Sequence, residues 1–397
     1  VFVSIMAAYR GLFQGLRAMT PFALSMIIEQ VVRVASMFLL AAIFFSYGPE
    51  FSAAGANFGT AIGAVASVAY LWRVYATTKP FGKLRSLSSV DSCWIMLKDI
   101  VVYAVPIALA SLIFPVMHLV DTIVVLRRLQ VAGLSLEEAR VLFGDLVGYA
   151  LPFLQAPALF TGALAATLMP TVTEWYARGD MLRVKKYSVE ALRLTFIVTM
   201  PAAVGLLVLA RDIPDMLWNR PEAGVPLRIL SFAAFFLPLQ QISSTLLISV
   251  GRPIAPLCNL IIAALIKVLL TWKLAAIPSV GVRGAALGSV IGFAIGSGLN
   301  LWFCRGIATP LNGLAKIALR PLVAALIMGL GVKLTQVTVY DGIGSTSLST
   351  ISAITIGIIV YGVVILLIGG IQKDDIVRFP LIGRHAASYL LKFRVLR

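Results

Sequence analysis

Apolar residues run in long stretches along this chain, at 21–46, 52–72, 100–126, 145–170, 188–210, 228–250, 254–276, 282–303, 321–340 and 348–370. Crossing about 30 Å of hydrocarbon at about 1.5 Å per helical residue takes roughly 20 residues, so each stretch predicts a membrane-spanning helix. Residues 1–9 read as the tail of another span. No alternating ten-residue pattern marks barrel strands, and in lipid only helices and closed barrels satisfy every backbone polar group. The predicted fold is all-α, a polytopic transmembrane helical bundle.

A repeat runs through these stretches. Residues 55–63 read GANFGTAIG and residues 284–292 read GAALGSVIG, identical at five of nine positions with Thr60 and Ser289 equivalent. Each copy is preceded by a glycine (Gly15, Gly251), a proline (Pro21, Pro253) and a span with a basic residue near its centre (Arg33, Lys267). Small residues four apart let helices approach closely, but four features in the same order point to duplication. Repeats of this kind build secondary transporters, with the ligand site where the halves meet. Counting back from the second copy, the first half would begin well before Val1, so the chain reads as a fragment lacking about three and a half helices.

Composition changes this picture little, while charge sharpens it. The chain is 60% hydrophobic and 13% charged, about half the charged share of a soluble domain. Its three cysteines, Cys93, Cys258 and Cys304, are too far apart for a disulfide framework. With the loop at Arg10 and Arg17 taken as cytoplasmic, 22 basic residues fall on that face and 9 on the other. That bias sets the orientation by the positive-inside rule and places the carboxyl terminus in the cytoplasm. The tail Ile376–Arg397 mixes basic and large apolar residues, as suits an amphipathic helix on anionic phospholipids. The net charge of +16 is thus spread along one side of a bundle, which excludes a nucleic-acid-binding patch. Loops of about 25 residues at most leave no room for an extramembrane catalytic domain, and no phosphate-binding loop, HExxH or Gly-x-Ser-x-Gly motif occurs. A monomeric transporter is expected, not an enzyme.

Ala163–Asp180 (ALAATLMPTVTEWYARGD) and Leu192–Ala210 resemble the eighth and ninth helices of the multidrug/oligosaccharidyl-lipid/polysaccharide exporter superfamily. YRGLFQGLRAMTP (Tyr9–Pro21) and IEQVVR (Ile28–Arg33) look most like its stage V sporulation protein B branch of polysaccharide flippases. The resemblance implies two pseudo-symmetric six-helix lobes, the first truncated, plus two carboxy-terminal helices. Residues 1–75 would hold the end of helix 4 with helices 5 and 6, 76–99 a cytoplasmic linker, and 100–305 helices 7 to 12. Helices 13 and 14 would fill 306–371, and 372–397 would be the basic tail. It further implies a plasma-membrane flippase that carries an undecaprenyl-linked oligosaccharide or peptidoglycan precursor by alternating access, in wall, spore-cortex or polysaccharide synthesis. The alternative within the superfamily is a multidrug cation antiporter, which would call for an acidic cavity. One departure stands out: where lipid II flippases carry an arginine early in the eighth helix, this sequence has YALPFLQAP with Pro152, which counts against lipid II as substrate.

A lipid-linked sugar carries a pyrophosphate, so its path calls for cations where charge is otherwise expensive. Arg33 and Lys267 lie 12 and 13 residues into their spans, roughly 18 to 20 Å deep, and are the candidate pyrophosphate ligands. Gln30 and Gln155 are candidate hydrogen-bonding partners for the headgroup. Glu29, one helical turn before Arg33, predicts a structural ion pair with it, whereas Lys267 has no carboxylate at helical spacing. Asp121 and His118 share a face and could take up a proton or sodium ion to drive flipping; the competing expectation pairs Asp121 with Arg127 or Arg128. No cofactor is expected beyond that coupling Na+ or H+, and no metal site. Pro106, Pro115, Pro152, Pro157, Pro201 and Pro238 lie inside spans and free backbone carbonyls for bending.

Overall fold

The computed structural model describes residues 2–16, 18–78, 90–306 and 311–370. Among them every regular element is helical: α1 Phe2–Gly15, α2 Met19–Phe44, α3 Pro49–Thr78, α4 Val90–Val131, α5 Leu136–Gly144, α6 Gln155–Ala177 and α7 Met181–Val208. There follow α8 Asp212–Trp218, α9 Gly224–Leu230, α10 Ala233–Ser249, α11 Ile254–Leu274, α12 Val282–Phe303, α13 Leu311–Ile343 and α14 Thr346–Leu367. Eight helical segments among the described residues are long and apolar enough to cross a membrane, nine when the bent pair Pro221–Leu230 and Ala233–Ser249 is one span. Large side chains such as Phe38, Leu330 and Ile358 point outward. In water that surface would be unstable, but in lipid it costs nothing, and the polytopic helical bundle is the fold.

The ten predicted stretches fall on α2, α3, α4, α5 with α6, α7, α9 with α10, and α11 to α14. Their boundaries differ for local reasons. Residues 2–9 belong to α1, which carries Arg10 inside a helix and not in a loop, while Val1 and Arg17 lie outside the described residues. The helix predicted to begin at 145 begins at Leu136, because Ser135 accepts from the Glu138 backbone N–H and the Glu138 carboxylate accepts from that of Ser135. This reciprocal cap satisfies donors that an amino-terminal turn otherwise leaves open. α4 runs on to Val131, past Arg127 and Arg128, before the tight turn at Gly133. The predicted span 228–250 is broken near Ser231, where α9 and α10 meet at 44°. The linker's residues 79–89 and the tail from 371 onward lie outside the described residues.

The chain divides into two compact units, Val1–Met96 and Leu97–Arg397. In the first, α2 and α3 form a hairpin; in the second, α11 and α12 form another. The repeated glycines make both possible, and in the same register. A Cβ on Gly63 would fall 2.9 Å from the Arg33 Cβ, and one on Gly292 would fall 2.9 Å from the Lys267 Cβ. One and two turns away, Gly59 and Gly55 meet Met37 and Leu40 as Gly288 and Gly284 meet Thr271 and Leu274. Each hairpin thus presses a glycine row against the helix carrying its central cation.

The core of the second unit packs small residues of α12 (Ala285, Ala286) against Leu227, Leu230 and Ala234, and Leu192 of α7 against Ile242, Leu246 and Leu247 of α10. A buried polar network crosses it: Asn259 donates to Asn300 Oδ1 at 2.9 Å, and Asn300 donates to Ser244 Oγ at 2.8 Å. Tryptophans sit near span ends with an arginine over the ring, Arg128 on Trp272, Arg183 on Trp175 and Arg305 on Trp302. Such rings favour the lipid–water boundary.

Candidate functional site

In the second unit a cavity of about 220 Å³ opens between α4, α6, α10, α11 and α12. Four of the residues singled out in the sequence line it: Lys267, Asp121, His118 and Gln155. Lys267 is 13 residues into α11 and donates from Nζ to Asp121 Oδ2 at 2.5 Å, both side chains about 14% exposed. This extends one expectation and corrects another. Lys267 does have a carboxylate partner, supplied by α4 and invisible to helical spacing. Asp121 takes neither Arg127 nor Arg128; it lies ten residues from the end of α4, while Arg128 donates to the Trp272 carbonyl at 2.8 Å. A buried charge left alone is costly, so the pair is what permits either ion to sit inside the bundle.

Local chain geometry opens the cavity on its α6 side. Pro152 and Pro157 have no N–H to donate, so the helix cannot hold one hydrogen-bond register through this region. The Leu151 N–H reaches back five residues to the Leu146 carbonyl, and the Gln155 N–H only three, to Pro152. Residues 145–150 are therefore a π turn and 151–154 a 3-10 turn, a combination that redirects side chains and recurs at functional sites. Gln155, the first residue of α6, lines the cavity as a result. Gln241 was missed in the sequence: it lines the cavity from α10, and its buried Oε1 has no hydrogen-bond partner among the described residues. The only signal for it was an amide within an apolar span.

The first unit holds the remaining candidates. Arg33 and Gln30 bond to one another on α2, Arg33 Nη2 donating to Gln30 Oε1. Glu29 is in an ion pair, but with Arg10 of α1 at 2.8 Å and not with Arg33. Arg10 also donates to Ser25 Oγ at 2.9 Å and to Ser67 Oγ at 3.3 Å, tying three helices together. Arg33 is thereby left with no carboxylate among the described residues. Within the first unit, then, one acid serves a structural arginine and a second arginine keeps its charge.

Comparison with known proteins accords with this architecture. A polysaccharide biosynthesis protein family model matches residues 1–176, and the lipid II flippase MurJ family model matches residues 145–368, more than half of the chain. The chain belongs to the lipid II flippase MurJ family. That membership agrees with the exporter-superfamily resemblance read from Ala163–Asp180. Among the family's relatives, Stage V sporulation protein B of Bacillus subtilis (strain 168) is 29% identical over 96% of this chain and 74% of its own length. Lipid II flippase MurJ of the same organism is 25% identical over 99% of this chain and 74% of its own length. A solved structure of lipid II flippase MurJ in an inward closed conformation shares the fold, with a TM-score of 0.57 and 17% identity over 91% of this chain and 70% of that one.

Proposed function

We propose that this chain is a multi-pass flippase of the bacterial plasma membrane that moves an undecaprenyl-linked oligosaccharide or peptidoglycan precursor between leaflets by alternating access. Membership in a flippase family supports the class of activity, and the likeness to a sporulation protein supports a role in wall or spore-cortex synthesis. The observation that carries the reading is the ammonium of Lys267, part-way along a membrane-spanning helix and facing a polar cavity. A multidrug cation antiporter would present unpaired acid there; here the acid is already matched by a resident cation.

The pair suggests how the cavity works. Lys267 and Asp121 balance one another's charge. An arriving pyrophosphate competes with the carboxylate for the ammonium, with Gln155 and Gln241 offering hydrogen bonds. Released from Lys267, Asp121 can bind a proton or sodium ion beside His118, which would tie substrate entry to ion uptake. Arg33 is the corresponding free cation of the first unit. The basic-residue bias supports a carboxyl-terminal tail on the cytoplasmic side.

The experiment is reconstitution into liposomes holding a fluorescent undecaprenyl-pyrophosphate saccharide. Translocation well above that of protein-free vesicles is expected, and translocation no faster than in protein-free vesicles would overturn the reading.

A further inference from the structure

A second cavity of the second unit, about 640 Å³, shares no lining residue with the one around Lys267. Its walls are apolar, with Leu207 and Val208 from the last turn of α7 and Val225 from α9. Three cations line it from three separate elements: Arg211 between α7 and α8, Arg228 on α9 and Lys333 on α13. Glu222 is the one acid among the lining residues.

The fold brings the backbones of Arg211 and α9 together and bonds the ammonium of Lys333. The α9 backbone rests directly on Arg211, since a Cβ on Gly224 would lie 2.7 Å from the Arg211 Cα, and Arg228 follows one turn along α9. Lys333 Nζ donates to Gln336 Oε1 at 3.0 Å, and Gln336 Nε2 donates to Asp212 Oδ1 at 3.2 Å, with Gln336 only 9% exposed. Among the described residues no hydrogen bond or ion pair engages the guanidinium of Arg211 or Arg228. Lys333 lies 18 residues into the span Ala315–Ile343, roughly 15 Å of helix from its carboxyl-terminal end.

We propose that this cavity binds the phosphate of an anionic membrane lipid. The net charge of its lining is positive, the guanidinium groups of Arg211 and Arg228 make no hydrogen bond or ion pair among the described residues, and the apolar walls offer a surface to acyl or prenyl chains. A free anion would use the cations but not the walls.

The test is equilibrium binding to the purified chain in detergent, read by native mass spectrometry, with phosphatidylglycerol, undecaprenyl pyrophosphate, phosphatidylcholine and inorganic pyrophosphate. The two anionic lipids are expected to bind and the other two to bind much more weakly. Arg211→Gln and Lys333→Gln should each weaken lipid binding about fivefold, the scale of one basic residue at an anionic surface, while Lys273→Gln on α11 leaves it unchanged. Glu222→Gln, which removes a repelling charge and no packing, should tighten binding, so the proposal stays testable if an arginine variant fails to fold. Equal binding of phosphatidylcholine, inorganic pyrophosphate bound as well as the lipids, or wild-type affinity in the Arg211, Lys333 and Glu222 variants alike would overturn it. Transport is not part of the readout, so the flippase reading stands or falls separately.

Discussion

Lys267 and Asp121, 146 positions apart in sequence, form a 2.5 Å ion pair that joins α11 to α4 inside the membrane-spanning part of the second unit. A pair this buried is worth less than the cost of breaking it, because removing one partner strands the other. Lys267→Met and Asp121→Asn should each destabilise the chain by about 3 kcal/mol. The double variant should lose clearly less than the sum of the two. Unfolding in mixed micelles checks this, and additive losses would show that the two charges do not depend on each other.

The glycine rows predict a sharp positional contrast. An alanine at Gly284 would bring its Cβ to 2.6 Å from the Leu274 backbone, whereas Gly298 on the same helix has nothing within 4 Å. Gly284→Ala should cost about 1–3 kcal/mol by overpacking, and Gly298→Ala should stay within about 0.5 kcal/mol of the parent. Thermal unfolding of the two variants side by side separates them.

Asp212, at the start of α8 between spans, has its carboxyl pushed above the ordinary range by burial, a rise that Lys333 only partly opposes. Its protonated form is therefore favoured by folding. The stability it contributes is full below the unfolded carboxylate value, near 3.9, and is lost as pH rises through the higher folded value. Asp212→Asn keeps an oxygen to accept from Gln336 and carries no charge to desolvate. The variant should melt higher than the parent at neutral pH, with the difference shrinking as pH falls. A constant difference across pH would contradict this.

The helices were legible because lipid demands long apolar runs, and the repeat was legible because close approach demands glycine at fixed spacing, though the two hairpins it builds were not. The fold shows what the repeated motif does: it sets Gly63 against Arg33 and Gly292 against Lys267. Partners of charges were not legible. Helical spacing reveals neighbours on one helix, so it offered Arg33 to Glu29, while the fold gives Glu29 to Arg10, 19 positions away on α1. The same blindness hid Asp121 from Lys267. Helix ends were misjudged where arginines seemed to mark a loop. Arg128 instead continues α4 and lays its guanidinium 4.4 Å from the centre of the Trp272 ring. Gln241 was hidden because an amide in an apolar run gives no periodic signal.

The most direct measurement of the central claim is the initial rate at which a fluorescent undecaprenyl-pyrophosphate saccharide crosses proteoliposomes, compared across the parent chain, Lys267→Ala, Arg33→Ala and the double variant. Loss of a transition-state cation contact of about 1.5–3 kcal/mol corresponds to roughly 10- to 160-fold in rate. Each single variant should slow transport on that scale and the double variant further, while Lys273→Ala at the end of α11 leaves it unchanged. Parent-level transport by the folded double variant would contradict the account, because the anionic headgroup would then cross without the intramembrane cations assigned to it.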